Sequence, residues 1–161
     1  MLDGISNTSP LLYLYRIDVV NWLPQVFGEV WIPSAVEIEL QAGQDKGYDV
    51  PIPSNYPWLR VTEPGSIPID WQRLDLGSGE LAAMALAAEH PKKIVLLDDT
   101  LARRTAQLAG LTVWGTLKIL LEAKSQGLTE SIQPLVSRLN DAGMWLSDDI
   151  RQRVLTLAGE N

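Results

Sequence analysis

The sequence contains no cysteine and a single histidine, His90. Disulfide bonds and thiolate metal sites are therefore excluded, which fits a reducing cytoplasm. Catalysis or metal binding by histidine is a weak hypothesis, because His90 stands beside Pro91 at a predicted helix end. No stretch approaches the roughly 20 apolar residues of a membrane span, and the N-terminus lacks a signal-peptide pattern. We therefore expect a cytoplasmic protein that does not enter a membrane.

Positive charge is also scarce. Thirteen lysine and arginine residues stand against 20 acidic residues, which gives a formal net charge of −7. A protein that holds nucleic acid through its overall field is usually basic. Any nucleic-acid contact would therefore need a local basic patch, a metal ion or a partner protein. The six tryptophans are spread along the chain with no stacking pattern, so we expect them mainly in the core or in interfaces.

What the chain does have is the composition of an ordinary globular domain, with 46% hydrophobic residues in a length of 161. Short apolar runs alternate with longer helical patterns, which predicts an α/β fold with a parallel sheet. Strands are predicted at 2–6, 29–32, 58–61, 94–99 and 111–114, and a loop at 44–57. Helices are predicted at 10–17, 19–27, 33–43, 77–90, 100–110, 115–127 (capped by Thr116), 130–142 and 147–158 (capped by Ser147).

The stretch "SNTSP" begins the first helix directly after the first strand. Thr8 and Ser9 are both suitable helix caps, and Pro10 suits the first helical position, where its missing N–H costs nothing. Asn7 then lies at the carboxyl end of the strand. In open α/β sheets this is the edge where ligands bind, so Asn7 is a candidate site residue.

Glu39 occupies an unusual position in the helix "PSAVEIELQAG". At helical spacing it lies near the middle of an apolar arc that has Val36 and Leu40 on one side and Ala35, Ile38 and Ala42 on the other, whereas Glu37 points away from that arc. A buried carboxylate is costly unless it is paired or bound to a metal. Glu39 is therefore either part of a site or a side chain that reaches solvent or pairs with an arginine.

Three further carboxylates each have two interpretations. Glu80 lies in the first turn of an almost wholly apolar helix, as a site residue or as a partner of the helix dipole. Asp98 and Asp99 follow the near-continuous apolar run "IVLL". Asp99 either caps the helix that starts at Thr100, with a possible ion pair to Arg103, or belongs to a site. One cap does not require two aspartates, so the functional interpretation is stronger for Asp98.

Strand ends and helix starts share one edge of a parallel sheet, so these side chains are expected to converge. Oxygen donors without histidine or cysteine suit Mg²⁺ or Mn²⁺, and such an ion can polarise a phosphate and activate water. An aspartate pair after a strand also occurs in phosphoacceptor receiver domains. Here the pair comes late in the chain and the strand "LTVW" offers no lysine, so that interpretation is set aside.

Five stretches follow one another in a specific order: "SNTSPLLYL", "VWIPSAVEIELQAG", "LGSGELAAMALA", "IVLLDDTLARRTAQLAGLTVWGTLKILLEAKSQGL" and "AGMWLSDDIRQRVLTLAGE". In order and spacing they resemble the PIN-domain nucleases, most closely the VapC-like branch of predicted nucleic-acid-binding proteins. The resemblance implies a PIN-like three-layer α/β fold, with a small, mostly parallel sheet flanked by helices. It also implies a single domain over residues 1–161 with a C-terminal helical extension at about 128–161.

The same resemblance implies a function. PIN domains are typically Mg²⁺- or Mn²⁺-dependent ribonucleases, and VapC-like members are toxins that a cognate antitoxin inhibits and that commonly form homodimers. It implies that the substrate is RNA. It also implies a catalytic set that consists of Asn7 and four metal-binding carboxylates, with supporting residues that orient them. The metal-binding carboxylates are Glu39, Glu80, Asp98 and Asp99, the supporting residues are Thr8 and Ser9, and the phosphate contacts are Arg103 and Arg104, which are otherwise ordinary surface cations.

Two positions depart from the family pattern. The family normally has aspartate, in the form "D-T-S-P", where this chain has Asn7, and often a second acid where it has Ala82. Asn7 can coordinate a metal through its carbonyl oxygen but brings no charge, so metal affinity and water activation are expected to fall. The alternative function is therefore a catalytically weakened PIN-like module that binds RNA or a protein.

Overall fold

Five short strands form one sheet at the centre of the molecule, in a computed structural model that describes residues 1–161. Every neighbouring pair is parallel, in the order β3-β2-β1-β4-β5. The predicted parallel α/β fold is thus confirmed. The apolar runs of β1 and β4 are buried throughout, because helices cover both faces of the sheet. The strands are β1 Gly4–Ser6, β2 Val30–Ile32, β3 Leu59–Val61, β4 Ile94–Leu96 and β5 Val113–Trp114.

Nine α-helices surround the sheet. They are α1 Thr8–Arg16, α2 Leu23–Val26, α3 Ser34–Asp45, α4 Ile69–Gln72, α5 Ser78–Glu89, α6 Thr100–Leu108, α7 Thr116–Ser125, α8 Gln133–Asp141 and α9 Asp148–Leu157, with single 3₁₀ turns at Val20–Trp22 and Pro53–Asn55. None of these helices is both long enough and apolar enough to cross a membrane.

The sheet separates two apolar cores, which gives the molecule its three layers. Side chains alternate along β4, so Ile94 and Leu96 join one core while Val95 joins the other. The larger core contains residues from α1, α2, α3 and α7, and the smaller one lies between the sheet and helices α5 and α6. Helices α8 and α9 contribute Leu139 and Val154 to the larger core, so the predicted C-terminal extension packs against the same hydrophobic interior.

Several helix starts differ from the sequence prediction. Helix α1 begins at Thr8 with Asn7 as its N-cap, so the predicted capping role of Thr8 and Ser9 is wrong and Pro10 is the third helical residue. Thr116 is likewise the first residue of α7 and not its cap. The physical reason is that all three hydroxyl groups donate to carboxylates, as described below. The predicted cap Ser147 is confirmed, since its side chain accepts from the N–H of Ile150.

The ends of some helices and strands also differ from the predicted ones. Gly43 was expected to end α3, but the helix continues to Asp45 and the turn is made by Gly47, whose φ is 86°. The short helix α4 was not predicted, because four residues carry no readable helical period. Residues 58–61 were predicted as an edge strand, and β3 lies at one edge of the sheet, as expected.

Candidate active site

The order of strands creates a crevice between β1 and β4. From β1 the chain builds the sheet outwards through β2 and β3, and it then returns to add β4 and β5 on the other side. Ligands of open α/β sheets bind at such a reversal, outside the carboxyl ends of the strands. Asn7 directly follows β1, and its N–H donates to the carbonyl of Leu96 at 3.1 Å, extending the pairing of β1 with β4. Asp98 and Asp99 follow β4 at the same edge.

Asn7 places an unpaired oxygen in this crevice. The residue is only 6% exposed, and its side-chain carbonyl Oδ1 has no hydrogen-bond partner although it is fully buried. A Cβ atom added to Gly79, at the start of α5, would lie 3.0 Å from this oxygen. Leaving a buried acceptor unpaired costs roughly 1–3 kcal/mol, so Asn7 Oδ1 is a position where a donor or a cation would be stabilising.

Glu39 lies beside Asn7 and links three helices. Its Oε2 accepts from the Thr8 hydroxyl at 2.6 Å, and its Oε1 accepts from the N–H of Gly79 at 3.0 Å. The predicted apolar arc of α3 is confirmed for Val36 and Leu40, which are buried, and wrong for Ile38, which is 65% exposed. Glu39 is therefore not buried in the core. It lies at the border of the packed face, held by a hydroxyl and a backbone N–H and not by an arginine.

Glu80 has the helix-start role that the sequence allowed, and its role as a site residue stays a prediction. Its Oε1 accepts from the N–H of Gly77 at 3.0 Å, which stabilises the start of α5. Burial raises the pKa of the Glu80 carboxyl; the Gly77 N–H lowers it in part, and the negative charges of Asp99 and Glu39 raise it further. The negative charges of Asp99 and Glu39 are thus close enough to Glu80 to disfavour its ionised form.

Asp98 accepts three hydrogen bonds. Its Oδ1 accepts from the N–H of Thr116 at 2.8 Å, and its Oδ2 accepts from the hydroxyls of Thr116 at 2.8 Å and Ser9 at 2.7 Å. Asp99 caps α6, where its Oδ2 accepts from the N–H of Ala102 at 2.9 Å, and its negative charge also acts on Glu80. The cap interpretation of Asp99 is therefore correct, while Asp98 lies between the starts of α1 and α7.

The two arginines of α6 differ in environment. Arg103 is half-buried, and its Nη1 donates to the carbonyl of Leu97 at 3.0 Å, next to Asp98. It forms no salt bridge, so the ion pair that its spacing from Asp99 suggested is absent. Arg104 is exposed and has no hydrogen-bond partner in the protein. Of the two, Arg103 is the cation at the crevice.

The sequence reasoning did not single out Gly79. A Cβ atom at this position would lie 2.5 Å from Glu39 Oε1, so only glycine lets the carboxylate reach the backbone of α5. The stretch "GSGEL" did carry a signal that Gly79 has a special role. Glycine in a helix costs about 0.5–1 kcal/mol of stability relative to alanine, so a glycine at this position indicates a close contact. The role of Thr116 as a partner of Asp98 was also missed, because a threonine at a helix start looks like a cap.

The polar groups of the crevice fit a hard divalent cation, although they do not form a closed cage. All donors are carboxylate or amide oxygens, which suits Mg²⁺ or Mn²⁺. Asn7 Oδ1 needs a partner, and a cation would offset the burial and the neighbouring negative charges that together raise the pKa of Glu80. No three aspartate, glutamate, histidine or cysteine side chains are grouped closely enough to hold a metal by themselves. A donor set for a cation at this place would therefore have to include the amide oxygen of Asn7.

A three-layer fold with a parallel sheet and acidic groups at the strand reversal defines a class of α/β proteins whose ligands bind at the carboxyl edge of the sheet. A family model described as a PIN domain matches residues 4–160, so the chain belongs to the PIN-domain family. PIN domains are generally nucleases that depend on divalent metals, so membership indicates a nuclease-type function and nucleic-acid binding. Comparisons with curated proteins and with solved structures give no significant match.

Proposed function

We propose that the chain is a metal-dependent endoribonuclease of the VapC-like toxin type, which hydrolyses RNA phosphodiesters with Mg²⁺ or Mn²⁺. The observation that supports this most directly is the buried, unpaired Oδ1 of Asn7 beside the carboxylates of a PIN domain. Asn7, Glu39 and Glu80 would hold the ion, together with one of the strand-end acids, Asp98 or Asp99. The ion would polarise the scissile phosphate and lower the pKa of an attacking water.

The remaining residues of the crevice position these donors. The Thr8 hydroxyl and the Gly79 N–H hold both oxygens of Glu39, so this carboxylate has little freedom to rotate. Ser9 and Thr116 do the same for Asp98. Arg103 lies next to Asp98 and can contact a non-bridging phosphate oxygen, with exposed Arg104 as a second phosphate contact. Preorganisation of this kind keeps the ligands in place before the metal arrives.

Asn7 sets the expected strength of the site. An amide oxygen coordinates a hard cation, but it supplies no negative charge, and affinity for such cations depends on the number of charged ligands. The natural protein is therefore expected to bind Mn²⁺ weakly and to cut slowly. An aspartate at this position would strengthen both properties, and without metal it would add a fourth negative charge beside Glu39, Glu80 and Asp99.

RNA cleavage tests the proposal. Purified protein is incubated with end-labelled single-stranded RNA in Mn²⁺, in Mg²⁺ and in EDTA, and Mn²⁺ affinity is measured by calorimetry. We expect metal-dependent cleavage that Glu39→Gln reduces at least tenfold, while Glu37→Gln, on the solvent side of the same helix, retains it. Asn7→Asp should bind Mn²⁺ more tightly and cut faster, and its melting temperature should fall in EDTA and recover in Mn²⁺. Absence of Mn²⁺ binding and of cleavage in both the natural protein and Asn7→Asp would refute the enzyme.

The second candidate function is a PIN-like module that binds RNA or a protein without cutting. Two observations favour it: Asn7 replaces a charged ligand, and no three acidic side chains are grouped for a metal. In the same experiment this function predicts RNA or protein binding that EDTA does not affect, with no cleavage even in Asn7→Asp. The two functions therefore give different results with one set of proteins.

The toxin assignment carries further expectations: a cytoplasmic protein, a cognate antitoxin and a homodimer. A small gene of DNA-binding type directly upstream of the reading frame would support the antitoxin. Light scattering coupled to size-exclusion chromatography measures whether the purified chain is a dimer. These tests are independent of the metal site, so they can fail without affecting the nuclease proposal.

A further inference from the structure

A cleft of about 440 Å³ opens beside Asp98, and neither Asn7 nor Glu39 lines it. Its walls are the starts of α6 and α7 and the segment 144–150, which leads into α9. The side chains that matter for its chemistry are Arg103, Lys118 and Trp145, and Asp98 and Thr116 form its inner end. The cleft therefore begins at the candidate metal site and leads outwards along the protein surface.

The cleft is a local basic patch in an acidic protein. Arg103 and Lys118 line it, and neither forms a salt bridge. Of the residues that line it only Asp98 is acidic, and its oxygens already accept three hydrogen bonds, while the exposed Asp148 and Asp149 lie next to the cleft in the first turn of α9. Lys118 is exposed and lies 5.2 Å from the centroid of the Trp114 ring, which limits where its ammonium group can go. In a protein whose net charge is −7, two cations without a salt bridge beside the candidate site are informative, because the overall field disfavours nucleic acid.

Trp145 forms the outer rim of the cleft and is 81% exposed, whereas the other five tryptophans are at least partly buried. Its neighbours Met144 and Leu146 pack against the larger core, so the short segment that carries Trp145 is anchored on both sides. Exposing a large aromatic ring to water is unfavourable, and anchored neighbours leave the ring no route into the core. The ring is thus presented to solvent at a fixed place beside two cations.

We infer that this cleft binds single-stranded RNA next to the scissile phosphate, with a base stacked on Trp145 and the adjoining phosphates held by Arg103 and Lys118. This inference rests on the proposed RNA substrate. Sites for single-stranded nucleic acid combine a basic groove with an exposed aromatic ring, because every base has a face that can stack. A volume of about 440 Å³ falls in the range of small-molecule sites and suits one nucleotide. Paired bases are already stacked, so duplex RNA should bind more weakly.

Fluorescence anisotropy with a labelled ten-nucleotide RNA tests the cleft, using the full chain in EDTA so that cleavage cannot interfere. Trp145→Ala should weaken RNA binding by roughly tenfold, a loss typical of removing one stacked base, and Lys118→Ala should weaken it several-fold by removing one phosphate contact. Lys118→Ala should also reduce the slope of log affinity against log salt by about 0.7. The matched controls Tyr48→Ala, an exposed aromatic elsewhere, and Lys92→Ala, an exposed lysine elsewhere, should bind like the natural protein.

The outcomes separate this inference from the proposed nuclease. Loss of RNA affinity in Trp145→Ala and Lys118→Ala, with unchanged Mn²⁺ affinity and melting temperature, supports the cleft. If the variants lose RNA affinity as expected but the natural protein cleaves no RNA with any metal, the nuclease proposal is refuted. The inferred RNA binding by the cleft is then still supported. RNA affinity that neither variant changes overturns the inference, and so does a Trp145→Ala protein that only loses self-association. Equal affinity for duplex and single-stranded RNA also contradicts it.

Discussion

At the scale of single residues, the crevice depends on a glycine as much as on its acids. The Gly79 N–H binds Glu39, and the missing side chain of Gly79 leaves the space that Glu39 and Asn7 occupy. The hydroxyl of Thr8 holds the other oxygen of the same carboxylate. These contacts exist without a metal, so they can be tested by stability alone.

Gly79→Ala is expected to destabilise the protein by about 1–3 kcal/mol, the usual cost of forcing extra volume into a packed site. Alanine for glycine in a helix is normally stabilising, but here the new Cβ would meet Glu39 Oε1 at 2.5 Å and Asn7 Oδ1 at 3.0 Å. Urea denaturation measures the change. Gly43→Ala in α3 is the control, since its Cβ would mainly meet a methyl group of Val50 at 3.3 Å. A Gly79→Ala protein as stable as the Gly43→Ala protein would contradict this account.

At the scale of elements, a second carboxylate ties the C-terminal helices together. Glu160 accepts from Lys124 of α7 at 2.9 Å and from the N–H groups of Ile132 and Gln133, at the start of α8, at 2.9 and 3.0 Å. Ser131 donates to the same carboxylate. Burial alone would raise the pKa of Glu160, but these hydrogen bonds outweigh it and lower the pKa to about 2. The residue thus fastens the end of the chain to two other helices.

Glu160 should make the stability depend on pH in the acid range. Its pKa falls from 4.5 in the unfolded chain to about 2 in the folded protein, so its stabilisation is complete above pH 4.5. As the pH falls from 4.5 towards 2 the unfolded chain takes up the proton first, and the free energy of unfolding decreases. Urea titrations at several pH values should show a steeper decrease for the natural protein than for Glu160→Gln.

The control for this pH dependence is Glu130→Gln, at an exposed glutamate without a hydrogen-bond partner in the same region. It should retain the full acid dependence of the natural protein. Equal pH profiles for Glu160→Gln and the natural protein would show that the hydrogen bonds of Glu160 do not hold the helices in solution.

At the scale of the whole molecule, Asp98 connects the two halves of the sheet. It follows β4, and its side chain accepts from Ser9 after β1 and from Thr116 after β5. The three strand ends that meet at the crevice are therefore joined by one carboxylate. Because β1 and β4 are the central neighbours in the sheet order, weakening this junction should affect the global unfolding transition.

Asp98→Asn should lower the free energy of unfolding by about 1–3 kcal/mol, even in EDTA. An amide has only one accepting oxygen, so at least one donor of Ser9 or the buried Thr116 would lose its partner. Asp75→Asn, at an exposed aspartate without hydrogen-bond partners, provides the matched control and should be neutral. A value for Asp98→Asn equal to that of Asp75→Asn would mean that the junction contributes nothing to folding.

The fold was predictable because its signals are local. Apolar runs such as "IVLL" and the helical period of "GELAAMALAA" lie within a few turns of chain, and the alternation of such segments already indicates a parallel α/β sheet. The family resemblance followed from the same short stretches and is confirmed, while its VapC-like branch stays a prediction. The exact ends of the helices and strands, and the short helix α4, were harder to predict, because residues at the end of an element carry little periodic signal.

The sequence by itself thus determined the elements, their parallel arrangement and the edge where acidic residues would gather. Only the tertiary structure decided which partner each polar group takes. Thr8 pairs with Glu39 across 31 positions and Ser9 with Asp98 across 89, so hydroxyls that local rules assign to helix caps bind distant carboxylates instead. The tertiary structure also leaves the Oδ1 atom of Asn7 buried and without a hydrogen-bond partner, which no local sequence pattern reveals. The reason is physical: helix period and capping depend on neighbours in the chain, whereas the satisfaction of a buried polar group depends on everything packed around it.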